Sequence, residues 1–217
     1  MTKKGLSKDV YNERIGSMTS NSSGKGKSKS TKTKKELINV ARDLFAKKGY
    51  SETSIRDILT AANISKGNLY HHFKGKEFLF LHIMEEDTQE WVNLWTEKKG
   101  QYKNAIEKLY GLAEFMIDIN INYSLLNASE EFFTSAFSSE EVVERLTKLD
   151  DQYYVIMEDI LREGINDGSW VIDNIQITSK ILAGLFYSID TLYRNDSIQQ
   201  KKEMLTEATK IFIKGIK

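Results

Sequence analysis

Residues 65–73 read Ser65-Lys66-Gly67-Asn68-Leu69-Tyr70-His71-His72-Phe73. Ser65 is a strong helix cap, and short polar or cationic side chains follow it. A helix that reads DNA needs such side chains at its N-terminus, where base edges and phosphates come within reach. The amides of a first turn can hold a phosphate. Lys66 brings a mobile charge, and Gly67 lets the backbone approach a groove closely. Asn68 offers a donor and an acceptor to a base edge. Tyr70, His71 and His72 carry groups that reach phosphate oxygens. Leu69 and Phe73, at i and i+4, hold the helix to a small core.

Working outward, Ala62-Asn63-Ile64 forms a tight turn. Before it, Thr53 and Ser54 are good caps for a short helix with Ile55, Ile58 and Leu59 on its inner face. Earlier still, Leu37, Ile38, Ala41, Leu44 and Phe45 recur at helical spacing, and Lys47-Lys48-Gly49 supplies a stop. This predicts a helix over 34–48, then two short helices in a helix-turn-helix. Downstream, Lys74 and Lys76 add phosphate neutralisation, as do Thr53 and Ser54 from the neighbouring helix. The expected DNA-contacting set is Thr53, Ser54, Ser65, Lys66, Gly67, Asn68, Tyr70, His71, His72, Lys74 and Lys76. His71 and His72 point about 100° apart on a helix and converge poorly on one ion, so no metal site is expected.

Charge is divided along the chain. The 217 residues hold 31 basic and 31 acidic side chains. Residues 1–80 carry 17 basic and 7 acidic, a net +10; residues 81–217 carry 14 and 24, a net −10. Of the positive block, a net +8 lies in residues 1–35. The two blocks are expected to face different partners. Residues 1–32 are poor in apolar side chains and read as a disordered basic arm. Cys is absent, which excludes a disulfide scaffold and thiolate metal sites. No apolar run approaches the roughly 18 residues of a membrane span, and no signal peptide is evident, so the expected location is cytoplasmic. Pro is absent too, which fits long helices. After Lys76 the pattern is helical throughout, over about 77–98, 103–121, 124–137, 139–166, 173–194 and 197–216. The fold class is all-α.

Residues 47–77, KKGYSETSIRDILTAANISKGNLYHHFKGKE, closely resemble the DNA-binding domain of TetR-family transcriptional regulators. Gly49-Tyr50, the Thr53-Ser54-Ile55 start and the Gly67, Tyr70, Phe73, Lys76-Glu77 frame carry the likeness over 33–82. It implies an all-helical homodimer: an N-terminal helix-turn-helix domain over 33–78 and a ligand-binding and dimerisation domain over 79–217. Trp91 with Trp95, Asn127-Ala128 with Glu131-Phe132, and Glu163-Gly164 through Trp170 to Ser179-Lys180 look similar to a multidrug-binding member of that family. The long basic arm and His71, where an aromatic is frequent, depart from it.

In the C-terminal half, helices 173–194 and 197–216 are amphipathic and could pair with their copies or close the monomer's core; the resemblance implies the dimer. Aromatic side chains interspersed with carboxylates suit a lipophilic cation. The resemblance places Asp87, Trp91 and Glu131 near the ligand, with Phe132 and Tyr123 beside them; Trp95, Glu114 and Phe115 complete the expected set. The function expected is a repressor released from a palindromic operator by a small aromatic or lipophilic ligand, cationic ones included, controlling an efflux or stress gene. The alternative is a regulator of a metabolic gene answering an anionic or acyl ligand. No P-loop, dinucleotide glycine pattern or nucleophilic Cys is present, and neither an enzyme nor a cofactor is expected.

Overall fold

The computed structural model describes residues 27–120, 124–135, 139–193 and 195–216, with side chains from Thr33 onward and excepting those of Asn120 and Asp190. The basic arm over 1–26 and the expected ligand residue Tyr123 lie outside the described residues. Among those described the chain is helical, with no strand. The helices are α1 (Lys27–Lys48), α2 (Ile55–Ala62), α3 (Lys66–His72), α4 (Lys76–Lys99), α5 (Ala105–Asn120), α6 (Leu126–Thr134), α7 (Glu140–Asn166), α8 (Ile175–Leu192) and α9 (Ile198–Gly215). Helix α1 starts at Lys27, several residues inside the stretch read as an arm. Lys, Ser and Thr can extend a helix already nucleated by an apolar face downstream, although they cannot start one alone.

The chain forms two compact units, residues 1–87 with 123–147, and 88–122 with 148–217. The first takes in more than the expected head, because apolar side chains beyond it complete its core. Leu37, Ala41 and Phe45 of α1, Ile58 of α2, Leu69 of α3, Phe80 of α4 and Phe132 of α6 are fully buried. Four rings form a knot. Phe45 meets Phe80 edge-on at 4.8 Å, and Tyr50 and Phe80 lie 4.9 and 5.0 Å from Phe132. Such tilted arrangements set a ring edge against a ring face, which adds to the stabilisation from burial.

In the second unit α9 packs on α5 and α8. Its core includes Leu112, Phe115, Leu161, Leu182, Phe186 and Leu205. Trp170 is buried against Gly164, its indole N–H donating to the Leu161 carbonyl at 2.8 Å. The next residue, Val171, donates its amide to the Ile216 carbonyl at 2.8 Å, which secures the end of α9. Lys202 bridges to Asp118 at 2.5 Å and reaches Glu114 at 3.8 Å. No described helix is long and apolar enough to cross a membrane.

Candidate nucleic-acid interface and ligand-responsive region

The sequence builds the helix-turn-helix through its caps. Ser54 accepts the Asp57 amide at 3.1 Å, and Asp57 accepts the Ser54 amide at 3.0 Å, a reciprocal capping box. These bonds to Ser54 hold the Asp57 carboxyl below its usual range. Asn63 ends α2 in the left-handed region at φ 52°, which a short amide side chain tolerates. Its amide closes on the Leu59 and Thr60 carbonyls. Two residues later Ser65 caps α3 by accepting the Asn68 amide at 3.2 Å. Leu69 and Phe73 are buried beneath.

That seating leaves Ser65, Lys66, Gly67, Tyr70 and His71 exposed on one unit surface, with Ser54 exposed at the start of α2. Lys66 Nζ lies 5.7 Å over the Tyr70 ring. His72 is half-buried, and burial, then His71 and Lys34, push its pKa down. It is therefore a neutral donor and acceptor at neutral pH rather than a cation. Asn68 turns its amide oxygen into the head, where that atom is buried without a hydrogen bond, so the acceptor half expected for base reading does not face outward.

Two expected contacts are corrected. Thr53 is fully buried and donates its hydroxyl to the Gly49 carbonyl at 2.7 Å, so it cannot touch phosphate. Lys76 Nζ donates to the Tyr50 carbonyl at 2.8 Å and sits 4.1 Å over the Tyr50 ring. Burial lowers its pKa while Glu131 and Glu52 counter that, so Lys76 ties the start of α4 to the head. Lys74 remains exposed but pairs with Glu141.

The expected ligand residues divide between the units. Asp87 lies in the first, buried and paired with Arg42 of α1. A guanidinium already balances the carboxylate that the resemblance places near the ligand. Beside it Arg145 grips Glu85 through two bonds, 2.8 and 2.6 Å. Glu131 is also in the first unit and accepts the Ser51 amide at 2.7 Å. Phe132 is core of that unit, packed on Tyr50 and Phe80. These two serve the head, contrary to expectation.

The second unit holds Trp91, Trp95 and Phe115 together. Trp91 lies 5.4 Å from Phe115 and 4.8 Å from Tyr153, and Trp95 lies 5.5 Å from Phe115 and 6.0 Å from Tyr102. Thr88 and the Tyr153 hydroxyl are 3.4 Å apart. Glu90 is a buried carboxylate of the same unit. Lys98 sits 5.4 Å over the Phe115 ring and 3.9 Å from Asp118. Glu114, half-exposed and facing Lys202, stands in that surface ion cluster. Sequence reasoning missed Arg42, Lys98 and the choice of Tyr153 over Tyr154. Among the described residues no cluster of His, Asp or Glu could hold a metal ion.

Residues 37–83 match the family model of bacterial regulatory proteins of the tetR family, and residues 87–217 match that of the QacR-like protein C-terminal region. The chain belongs to the TetR family. It is 32% identical over 183 residues to the HTH-type transcriptional regulator QacR of Staphylococcus aureus, covering 84% of this chain and 97% of that one. It is also 32% identical over 139 residues to the HTH-type transcriptional repressor KstR2 of Mycolicibacterium smegmatis, covering 62% and 66%. The fold is that of the Bacillus subtilis transcriptional regulator FadR, solved with stearoyl-CoA, at a TM-score of 0.70, 18% identity and coverage of 84% and 98%. TetR regulators bind DNA operators and small-molecule effectors, typically as dimers, and are not enzymes.

Proposed function

We propose that this TetR-family regulator is a cytoplasmic repressor released from a palindromic operator by an aromatic or lipophilic small molecule, cationic ones included. The observation that carries the DNA reading is α3, capped by Ser65, seated by Leu69, with Lys66, Tyr70 and His71 outward. Ser54, Ser65, Lys66, Gly67, Tyr70, His71 and His72 are the proposed contacts, with Asn68 contributing its amide nitrogen and Lys74 a supporting charge. A homodimer through α8 and α9 would set two such helices in successive major grooves, about 34–36 Å apart.

The ligand would enter among Trp91, Trp95, Phe115 and Tyr153. Trp91, Trp95 and Phe115 are buried and Tyr153 is half-buried; their rings offer faces for stacking, and Glu90 supplies a carboxylate in the same unit. A ligand changes operator affinity only through its different affinities for the two states, a coupling of about 1–3 kcal/mol in typical cases. The genes controlled would be those for efflux or stress responses.

Selection of duplexes from a random pool by the purified chain tests the first half. An inverted repeat should emerge; a pool without any enriched sequence would overturn the reading. On the selected duplex, Lys66→Ala should weaken binding and lower the slope of log K against log salt by roughly 0.9 per protomer, the loss of one phosphate contact each. An unchanged slope removes Lys66 from the interface. For the second half, a panel of aromatic cations and matched anions is screened by quenching of tryptophan fluorescence. Trp91→Ala should weaken the best binder at least about tenfold, the loss of a desolvated ring face. Undiminished affinity, followed by duplex release, takes Trp91 out of the site.

A further inference from the structure

The six residues between α1 and α2 are held by side chains from three directions. Gly49 adopts φ +83°, and its amide closes α1 on the Phe45 carbonyl at 2.9 Å. Its own carbonyl accepts the Thr53 hydroxyl at 2.7 Å. The Tyr50 carbonyl accepts Lys76 Nζ at 2.8 Å. The Ser51 amide donates to Glu131 Oε2 at 2.7 Å, across 80 residues of sequence. Glu131 comes so close to the turn that a side chain at position 49 would overlap its carboxylate. Its neighbour Phe132 packs on the Tyr50 ring at 4.9 Å.

We propose that Glu131 is a positioning residue for DNA reading: its carboxylate fixes the Gly49–Ser51 turn and thereby the direction in which α2 and α3 leave α1. The turn leads directly into the Ser54 capping box, and α2 hands its direction to α3 through the Asn63 turn, whose amide is bonded to the Leu59 and Thr60 carbonyls. An amide bonded to a charged acceptor is held more tightly than one bonded to a neutral carbonyl. Glu131 does not touch DNA. A half-buried carboxylate facing phosphate would repel it, and this one is turned to the backbone of its own unit. The negative charge also offsets the desolvation of Lys76, the second clamp on the same turn.

The test uses the full chain, a duplex selected by the parent protein, and the substitutions Glu131→Ala, Glu131→Gln and Glu131→Asp. Hydrogen exchange at the Ser51 amide is measured with operator affinity, its salt slope and the unfolding midpoint. Alanine should speed Ser51 exchange and weaken operator binding by about tenfold each, the loss of one hydrogen bond to a charged acceptor. The salt slope and affinity for random duplex should not change, because no phosphate contact is lost. Glutamine keeps an acceptor at the same reach and should restore both to within about threefold, whereas aspartate is one methylene short and should behave as alanine. If alanine fails to fold, the glutamine and aspartate pair carries the same comparison. Parental Ser51 protection and operator affinity in the alanine or aspartate chain would overturn the proposal. So would a glutamine chain as weak as aspartate, or an alanine chain that loses only small-molecule binding.

Discussion

A chain carrying Ile181→Glu with Tyr187→Glu should sediment as a monomer and bind a selected operator at least about a hundredfold more weakly than its parent. The expectation rests on the outer side of α8. Ile181 is 59% exposed, Tyr187 64% and Leu192 74%. Ile177 precedes them on α8, and Ile211 of α9 is exposed as well. Single exposed apolar side chains are ordinary, but a run of them along adjoining helices marks a surface that another protein covers. Helix α8 already buries Leu182, Phe186 and Ile189 within its own unit, so the outward set is surplus to that core. A second copy is the natural cover, since two adjacent helices and their copies form a self-complementary four-helix contact. Each glutamate meets its own copy or the partner's apolar face, and an unpaired buried charge is costly. The linked second head supplies an effective concentration near millimolar, which the monomer loses. Sedimentation velocity and a binding titration check both parts. A dimer at micromolar concentration despite both charges would move the interface elsewhere.

Gly164→Val should destabilise the chain by about 3–5 kcal/mol, comparable with deleting a buried tryptophan. Trp170 is 2% exposed and lies directly against Gly164. A Cβ built at that glycine would overlap the rigid six-membered part of the indole, which has no flexible end to move aside. The ring must leave, abandoning its burial and the 2.8 Å bond from its N–H to the Leu161 carbonyl. With it goes the path by which Val171 reaches Ile216 and secures α9. Urea unfolding reads the loss, and a red-shifted emission from Trp170, in a background with Trp91 and Trp95 replaced by phenylalanine, reports the expelled ring. A midpoint within about 1 kcal/mol of the parent's, with unshifted emission, would show that the notch can widen.

What was legible in the sequence was local. Caps, stops and the 3.6-residue period act over a few residues. Hence the two short helices of the head, the Asn63 turn and the order of the long helices could all be read. Contacts that span the chain were not legible. Thr53 has the composition of a surface cap, and only the fold shows its hydroxyl turned inward to Gly49. Asp87 and Glu131 are placed near a ligand by resemblance, and nothing local in the sequence shows the partner that each carboxylate has in the fold. Arg42 lies 45 residues from one, and Ser51 lies 80 from the other. Tyr153 and Tyr154 differ by one position on a helix, and pattern alone did not say which meets Trp91.

The ammonium of Lys98 over the Phe115 ring means that the aromatic cluster already has a tenant. A cationic guest settling on that ring must evict it, and Asp118, which already bridges to Lys202, would have to share its second oxygen with the displaced lysine. The guest's apparent affinity is scaled down by the fraction of time the ring is vacant. Such competition acts as a threshold. On the proposed reading, weak or small cations would be turned away in favour of guests whose apolar bulk outbids a tethered amine.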